Sequence, residues 1–257
     1  MQETCHDILG RPLRMLEAGD GPPILFLHGA GGLSWSPLLE RLSAAYRVMA
    51  PEHPGFGRTE IPEWMASVGD LALFYLDVLK ALDLSQVHLV GHSLGGWTAA
   101  ELAIRNTGRL RSLSLLAPAG VQGEVPFGDI FAWSPEESAR RGCVSTELAE
   151  QRIRALATAD PAIRRQNRAA TERLAFSPRL HNPKLPFWLH RIDVPTLLLW
   201  GEQDQVIPCA CAGPYRRGIP HARLVSLPET GHSLPLERPV EIAEILHAFF
   251  ADNERLP

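Results

Sequence analysis

The sequence predicts an α/β architecture, a mostly parallel central sheet flanked by helices, and three observations carry that expectation. Short continuous apolar runs such as Ile24-Leu25-Phe26-Leu27 and Leu197-Leu198-Leu199-Trp200 have the character of strands buried on both faces. Stretches with apolar residues at helical spacing alternate with those runs, which is how a parallel sheet acquires its crossovers. At Val87-His88-Leu89-Val90-Gly91-His92-Ser93-Leu94-Gly95-Gly96 a strand gives way to a helix through a glycine-flanked turn with a serine at its apex. With 257 residues, the chain is long enough for one domain burying about three quarters of its unfolded surface.

In chain order, two short apolar pieces lie around Gly10-Arg11-Pro12 within residues 8–17, and the turn signal Ala18-Gly19-Asp20-Gly21-Pro22-Pro23 follows; a leading hairpin is expected. The inner strand 24–27 ends at His28-Gly29-Ala30-Gly31-Gly32. Ser36, with Pro37 behind it, opens a helix through Leu38, Leu39, Leu42 and Ala45. Tyr46-Arg47-Val48-Met49-Ala50 is the next strand, followed by the loop Pro51-Glu52-His53-Pro54-Gly55-Phe56-Gly57-Arg58-Thr59. A helix over 66–82 leads into the strand 87–90; a helix over 97–104 and a strand over 110–117 come after the serine turn.

Regularity then stops. Between 121 and 191 the chain shows proline-broken helical pieces, beginning at Ser134-Pro135, over 146–158, and from Pro161 to about 174. Residues 1–120 and 191–257 are therefore expected to form the core, and 121–190 a helical cap inserted after the sixth strand. Strands resume at 195–201 and 223–227, the last helix spans 240–250, and 252–257 reads as a frayed tail.

Composition narrows the function. A formal net charge of −4 argues against a nucleic-acid partner, and no apolar run approaches a membrane span. Cys5, Cys143, Cys209 and Cys211 lack the spacing of a zinc site, and the polar, acidic start of the chain is unlike a signal peptide. Reduced thiols in a cytoplasmic protein, with no metal or other cofactor and a small-molecule substrate, are the expectation. His28, His53 and His92 sit in tight loops without a ligand set of fixed spacing.

The chemistry centres on Gly91-His92-Ser93-Leu94-Gly95, which fits the G-x-S-x-G pattern of a nucleophile elbow. A serine there needs a base and an orienting acid, each in a loop just past a strand. His232 in Pro228-Glu229-Thr230-Gly231-His232-Ser233 is the candidate base. Asp204 in Gly201-Glu202-Gln203-Asp204 is the candidate acid, with Glu202 as the alternative and Asp129 a distant third. The amides of Leu94 and of Ala30, in the glycine-rich loop after the first inner strand, are the candidate oxyanion donors.

Taken together, the His28 loop, the 51–59 loop, the elbow, the Asp204 turn and the Gly231-His232 turn resemble, in order, the serine-nucleophile α/β-hydrolases that carry a cap. The resemblance implies an α/β-hydrolase fold and an esterase or lactonase acting through an acyl-enzyme on a small to medium, largely apolar ester. Trp35, Trp97, Phe131, Trp133 and Trp188 are candidates for the pocket wall. Arginines are dense between Gln151 and Leu180, where a solvated helix face is the ordinary explanation and a clamp for a substrate carboxylate the functional one. That clamp keeps alive the C–C hydrolases of dienoate acids, although they usually carry asparagine before the nucleophile and tryptophan after the histidine. Here those positions are His92 and Ser233. A slow-turnover ligand receptor of the same fold is the reading from another class.

Overall fold

The computed structural model describes residues 1–254. Among them eight strands make one sheet: β1 (Gln2–Asp7), β2 (Pro12–Ala18), β3 (Pro23–Leu27), β4 (Arg47–Pro51), β5 (Val87–His92), β6 (Leu110–Leu116), β7 (Thr196–Gly201) and β8 (Arg223–Leu227). Their order is β1-β2-β4-β3-β5-β6-β7-β8, with β1–β2 and β2–β4 antiparallel and the remaining pairs parallel. The elbow strand β5 sits at the centre. Strands β3, β5 and β7 are buried along almost their whole length, as expected of apolar runs covered by helices on both faces.

The leading hairpin differs from its sequence reading. Its first strand is Gln2–Asp7, and Ile8 with Arg11 closes a tight turn in which Leu9 and Gly10 have φ of 54° and 80°. β1 is a polar, largely exposed edge strand, so it carries no hydrophobic signature.

Helices α1 (Pro37–Leu42), α2 (Val68–Ala81) and α3 (Leu94–Ala103) provide crossovers. Between β6 and β7, in the stretch expected to form a cap, stand α4 (Pro135–Arg141), α5 (Thr146–Thr158), α6 (Pro161–Ala175) and α7 (Leu185–Trp188). Next come α8 (Ala212–Gly218) and α9 (Leu234–Glu237), too short for periodicity to announce, and α10 (Pro239–Glu254). The supposed tail is in part helix: Asn253 is buried and its Nδ2 donates to Phe249 O at 2.6 Å, while 255–257 lie outside the described residues. No helix among the described residues is long and apolar enough to cross a membrane.

Strand register brings the loops together. Leu27 pairs with Gly91, so the His28 loop leaves β3 beside Ser93, and Gly201 pairs with Leu227, so the loops after β7 and β8 leave side by side. Those two loops are then sewn to each other, Gln203 N–H donating to Thr230 O and Thr230 N–H to Gln203 Oε1, both at 3.0 Å.

Candidate active site

Ser93 is held in an uncommon backbone conformation, φ 57° and ψ −115°, between β5 and α3. Bonds from Ser93 N–H to Leu116 O at 2.9 Å and from Trp97 N–H to Ser93 O at 3.0 Å over-determine it. The flanking glycines are there because the turn leaves no room for a side chain. A Cβ on Gly91 would stand 2.4 Å from Gly95 O, and one on Gly95 would stand 2.0 Å from Leu27 O. The helix consequently starts at Leu94, directly after the serine and three residues before Trp97, where apolar spacing first becomes visible.

His232 Nε2 lies 2.9 Å from Ser93 Oγ, and His232 Nδ1 lies 2.7 Å from Asp204 Oδ2. The protons follow from the partners. Asp204 Oδ1 accepts from the amides of Val206 and Ile207, both at 2.8 Å, so the carboxylate is anchored as an acceptor. His232 Nδ1 therefore donates to Oδ2, and the bare Nε2 faces the serine hydroxyl. Asp204 and His232 are buried, whereas Ser93 is partly open. Glu202 is exposed and accepts from Ser226 Oγ at 3.1 Å. Asp129 pairs with Arg179. Neither carboxylate joins His232.

His92 is tied to the His232 backbone. Its Nε2 donates to His232 O at 2.8 Å, and burial, reinforced by the neighbouring His232, pushes it down to about 3, so it stays neutral. On the other side the His28–Gly32 loop lies against Ser93, close enough that a Cβ on Gly29 would meet Ser93 Cβ at 3.2 Å. Ala30 sits half-buried in this loop, and the amide of Leu94, first in its helix, has no intrahelical acceptor. Two buried histidines back the loop. His53 N–H donates to His28 Nε2 at 3.0 Å, His53 Nε2 donates to His28 O at 2.8 Å, and Tyr75 OH meets His53 Nδ1 at 2.6 Å. Burial pushes His28 down to about 4 and His53 well below its ordinary value. Among the described residues no group of three or more His, Cys, Asp or Glu is placed to hold a metal.

The aromatic candidates scatter. Trp97 is 4% exposed, gives its Nε1 to Glu101, and fills the space where Gly120 lacks a Cβ. Trp35 donates to Glu40 at 2.6 Å. Phe131 packs edge-on to Phe176 beneath Arg168, and Trp133 lies under Arg141. Trp188 is 49% exposed beside His190.

Several residues at the site escaped the sequence reading. Arg152 of α5 donates to Ser233 Oγ at 2.6 Å, one residue from His232; nothing in a run of arginines singles it out. Glu237 takes Gly231 N–H at 3.0 Å and Val144 N–H at 2.8 Å, joining the His232 loop to the α4–α5 turn. Asn167 of α6 was legible in principle, because it is one of two polar residues, with Thr171, in a stripe that also holds Ala170 and Leu174 and is spaced for burial.

Sheet order and serine turn together are those of the α/β-hydrolase class. The chain belongs to the alpha/beta hydrolase family, whose model matches residues 24–245. It is 28% identical to a 2-hydroxymuconate semialdehyde hydrolase of Pseudomonas sp. (strain CF600), over 98% of this chain and 95% of that protein. It is 27% identical to the monoacylglycerol lipase ABHD6 of Mus musculus, over 99% and 82%. Among solved structures, a meta-cleavage product hydrolase from Pseudomonas fluorescens IP01 shares the fold at a TM-score of 0.81, with 23% identity over 97% of each chain.

Proposed function

We propose that the protein hydrolyses a small to medium, largely apolar carboxylic ester or lactone through an acyl-enzyme, with Ser93 as nucleophile, His232 as base and Asp204 as orienting acid. The unbroken relay from Ser93 Oγ through His232 to Asp204, 2.9 and 2.7 Å, is the observation that carries this reading. His232 Nε2 takes the hydroxyl proton as Ser93 Oγ attacks the carbonyl carbon, and the oxygen that becomes negative is received by the amides of Ala30 and Leu94. The intermediate collapses, His232 returns the proton to the departing alkoxide, and water repeats the sequence to release the acid. Residues 121–190 act as the lid. Phe131 and Trp133, half-buried in it, would contribute to an apolar wall. The free cysteines fit a reducing, cytoplasmic setting.

One observation supports a second reading, a C–C hydrolase of a dienoate acid. Arg152 stands beside the base loop, and among the described residues no carboxylate is paired with it, which leaves a cation for a substrate acid group. Assaying p-nitrophenyl acetate and butyrate beside a vinylogous dienoate acid separates the two. Steady multiple turnover of the esters, lost by at least about 10³-fold in Ser93→Ala, is the expected result. Cleavage of the dienoate alone would move the assignment to the second reading, and at most one slow turnover would favour a receptor. Activity surviving in Ser93→Ala would remove Ser93 from the mechanism.

A further inference from the structure

Cap helix α6 reaches the machinery through one side chain. Asn167 is 8% exposed, and its amide bridges two loops remote in sequence: Nδ2 donates to Gly31 O at 3.0 Å, and Oδ1 accepts from Gly57 N–H at 2.7 Å. The orientation of the amide is forced, because a backbone carbonyl only accepts and a backbone N–H only donates. Gly32, the next residue of the loop, has φ +94°, and a Cβ there would stand 2.4 Å from Asn167 Nδ2, so loop and amide are fitted to each other.

The segment being held is the one that presents the Ala30 amide. From below it is fixed by the His28–His53–Tyr75 network and closed by Gly32 N–H donating to Gly29 O at 3.1 Å. From above, the amide of Asn167 bonds Gly31, the residue after Ala30. Neighbouring contacts keep α6 seated: Gln166 Nε2 donates to Thr59 O at 2.5 Å, and Arg173 donates to the carbonyls of Pro62, Glu63 and Met65. A rigid loop matters here because an oxyanion donor acts only when already aimed at the site where charge develops.

We infer that Asn167 is a positioning residue for the oxyanion loop, so that seating of α6 on the core completes the oxyanion hole. The inference rests on the assignment of Ala30 and Leu94 as oxyanion donors. Losing the amide frees Gly31 to turn away while Ser93, His232 and Asp204 stay in place. Transition-state stabilisation then falls and ground-state binding does not.

Asn167→Ala and Asn167→Asp, compared with the unaltered chain at pH 8, test this. Aspartate keeps an acceptor for Gly57 N–H and loses the donor to Gly31 O. Both variants are expected to lower kcat for p-nitrophenyl butyrate by about 10- to 100-fold with KM within about twofold, a deficit smaller than outright removal of a donor. An alkyl trifluoromethyl ketone, whose adduct with Ser93 carries an anionic oxygen, should weaken by the same factor. So should the rate at which a fluorophosphonate labels Ser93, counted per folded molecule from the melting transition. Labelling and ketone affinity within about twofold of the unaltered chain, in a variant that is merely less stable, would overturn the inference. If Asn167→Ala does not fold, Asn167→Ser and Asn167→Asp are read by the same criteria. Should the unaltered chain label at Ser93 without turning over any ester, the esterase reading fails and the labelling rates still decide the role of Asn167; if it does neither, both fall.

Discussion

Asp204 uses both carboxylate oxygens, one on the amides of Val206 and Ile207 and one on His232, so the backbone dictates where the imidazole points. An asparagine held by the same two amides would aim its NH₂ at His232 Nδ1 and push the ring proton onto Nε2, facing Ser93 with a donor where an acceptor is required. Asp204→Asn is expected to lower kcat for p-nitrophenyl butyrate by on the order of 10⁴ with little change in KM. Glu202→Gln, altering an exposed side chain that among the described residues hydrogen-bonds to Ser226 alone, should stay within about twofold. Equal losses would bring Glu202 back into the mechanism. Ser93, Asp204 and His232 were legible because each sits in a loop directly past an apolar run. The sequence favoured Asp204 but kept Glu202 open, since the two lie two residues apart in one turn and only its folding separates a buried carboxylate from an exposed one.

Elements were legible in proportion to how much one-sided burial wrote itself into spacing. The span of α5 matched its prediction, and β8 did too, whereas β1 escaped because an exposed edge strand carries no apolar alternation. Helix starts were marked by capping side chains: Ser36, Ser67, Ser134, Ser145 and Asp160 each accept a backbone N–H of the turn they open. At Ser67 the cap is reciprocal. Its Oγ accepts from Asp70 N–H at 3.1 Å and donates to Asp70 Oδ2 at 2.8 Å, while that carboxylate also takes Ala66 N–H at 3.0 Å. This cap starts α2 at Val68 where the apolar spacing suggested 66. Ser67→Ala should cost about 1 kcal/mol, a fall of about 2–4 °C in the calorimetric midpoint for a chain of this size, and leave kcat unchanged. A midpoint within 0.5 °C, roughly a tenth of a kcal/mol or two on that scale, would mean that water replaces the cap at no cost.

At the scale of the whole molecule, the same burial that fixes the loops around Ser93 and His232 should make the fold sensitive to acid. His28 and His88 are pushed down to about 4 and His92 to about 3, in each case chiefly by burial, and His53 lies well below its ordinary value for the same reason. Above the ordinary 6.5, both folded and unfolded chains hold these rings neutral and pH does nothing through them. Below it the unfolded chain binds protons that the folded chain refuses, so stability falls as pH drops, by at most about 1.4 kcal/mol per pH unit for each ring, until the folded values are reached. Glu52 has the opposite sign, since burial raises its carboxyl and the folded chain takes that proton first, whereas Glu3, Glu17 and Glu136, held low by hydrogen bonds, act in the same direction as the four rings. Urea unfolding at pH 7.0, 6.0, 5.0 and 4.5 should therefore show a midpoint that falls at every step, most steeply below pH 6. A midpoint unchanged from pH 7 to pH 5 would mean that the buried rings accept protons inside the fold. In that case the neutral His28–His53 pair, and with it the fixed backing of the His28–Gly32 loop, would have to be abandoned.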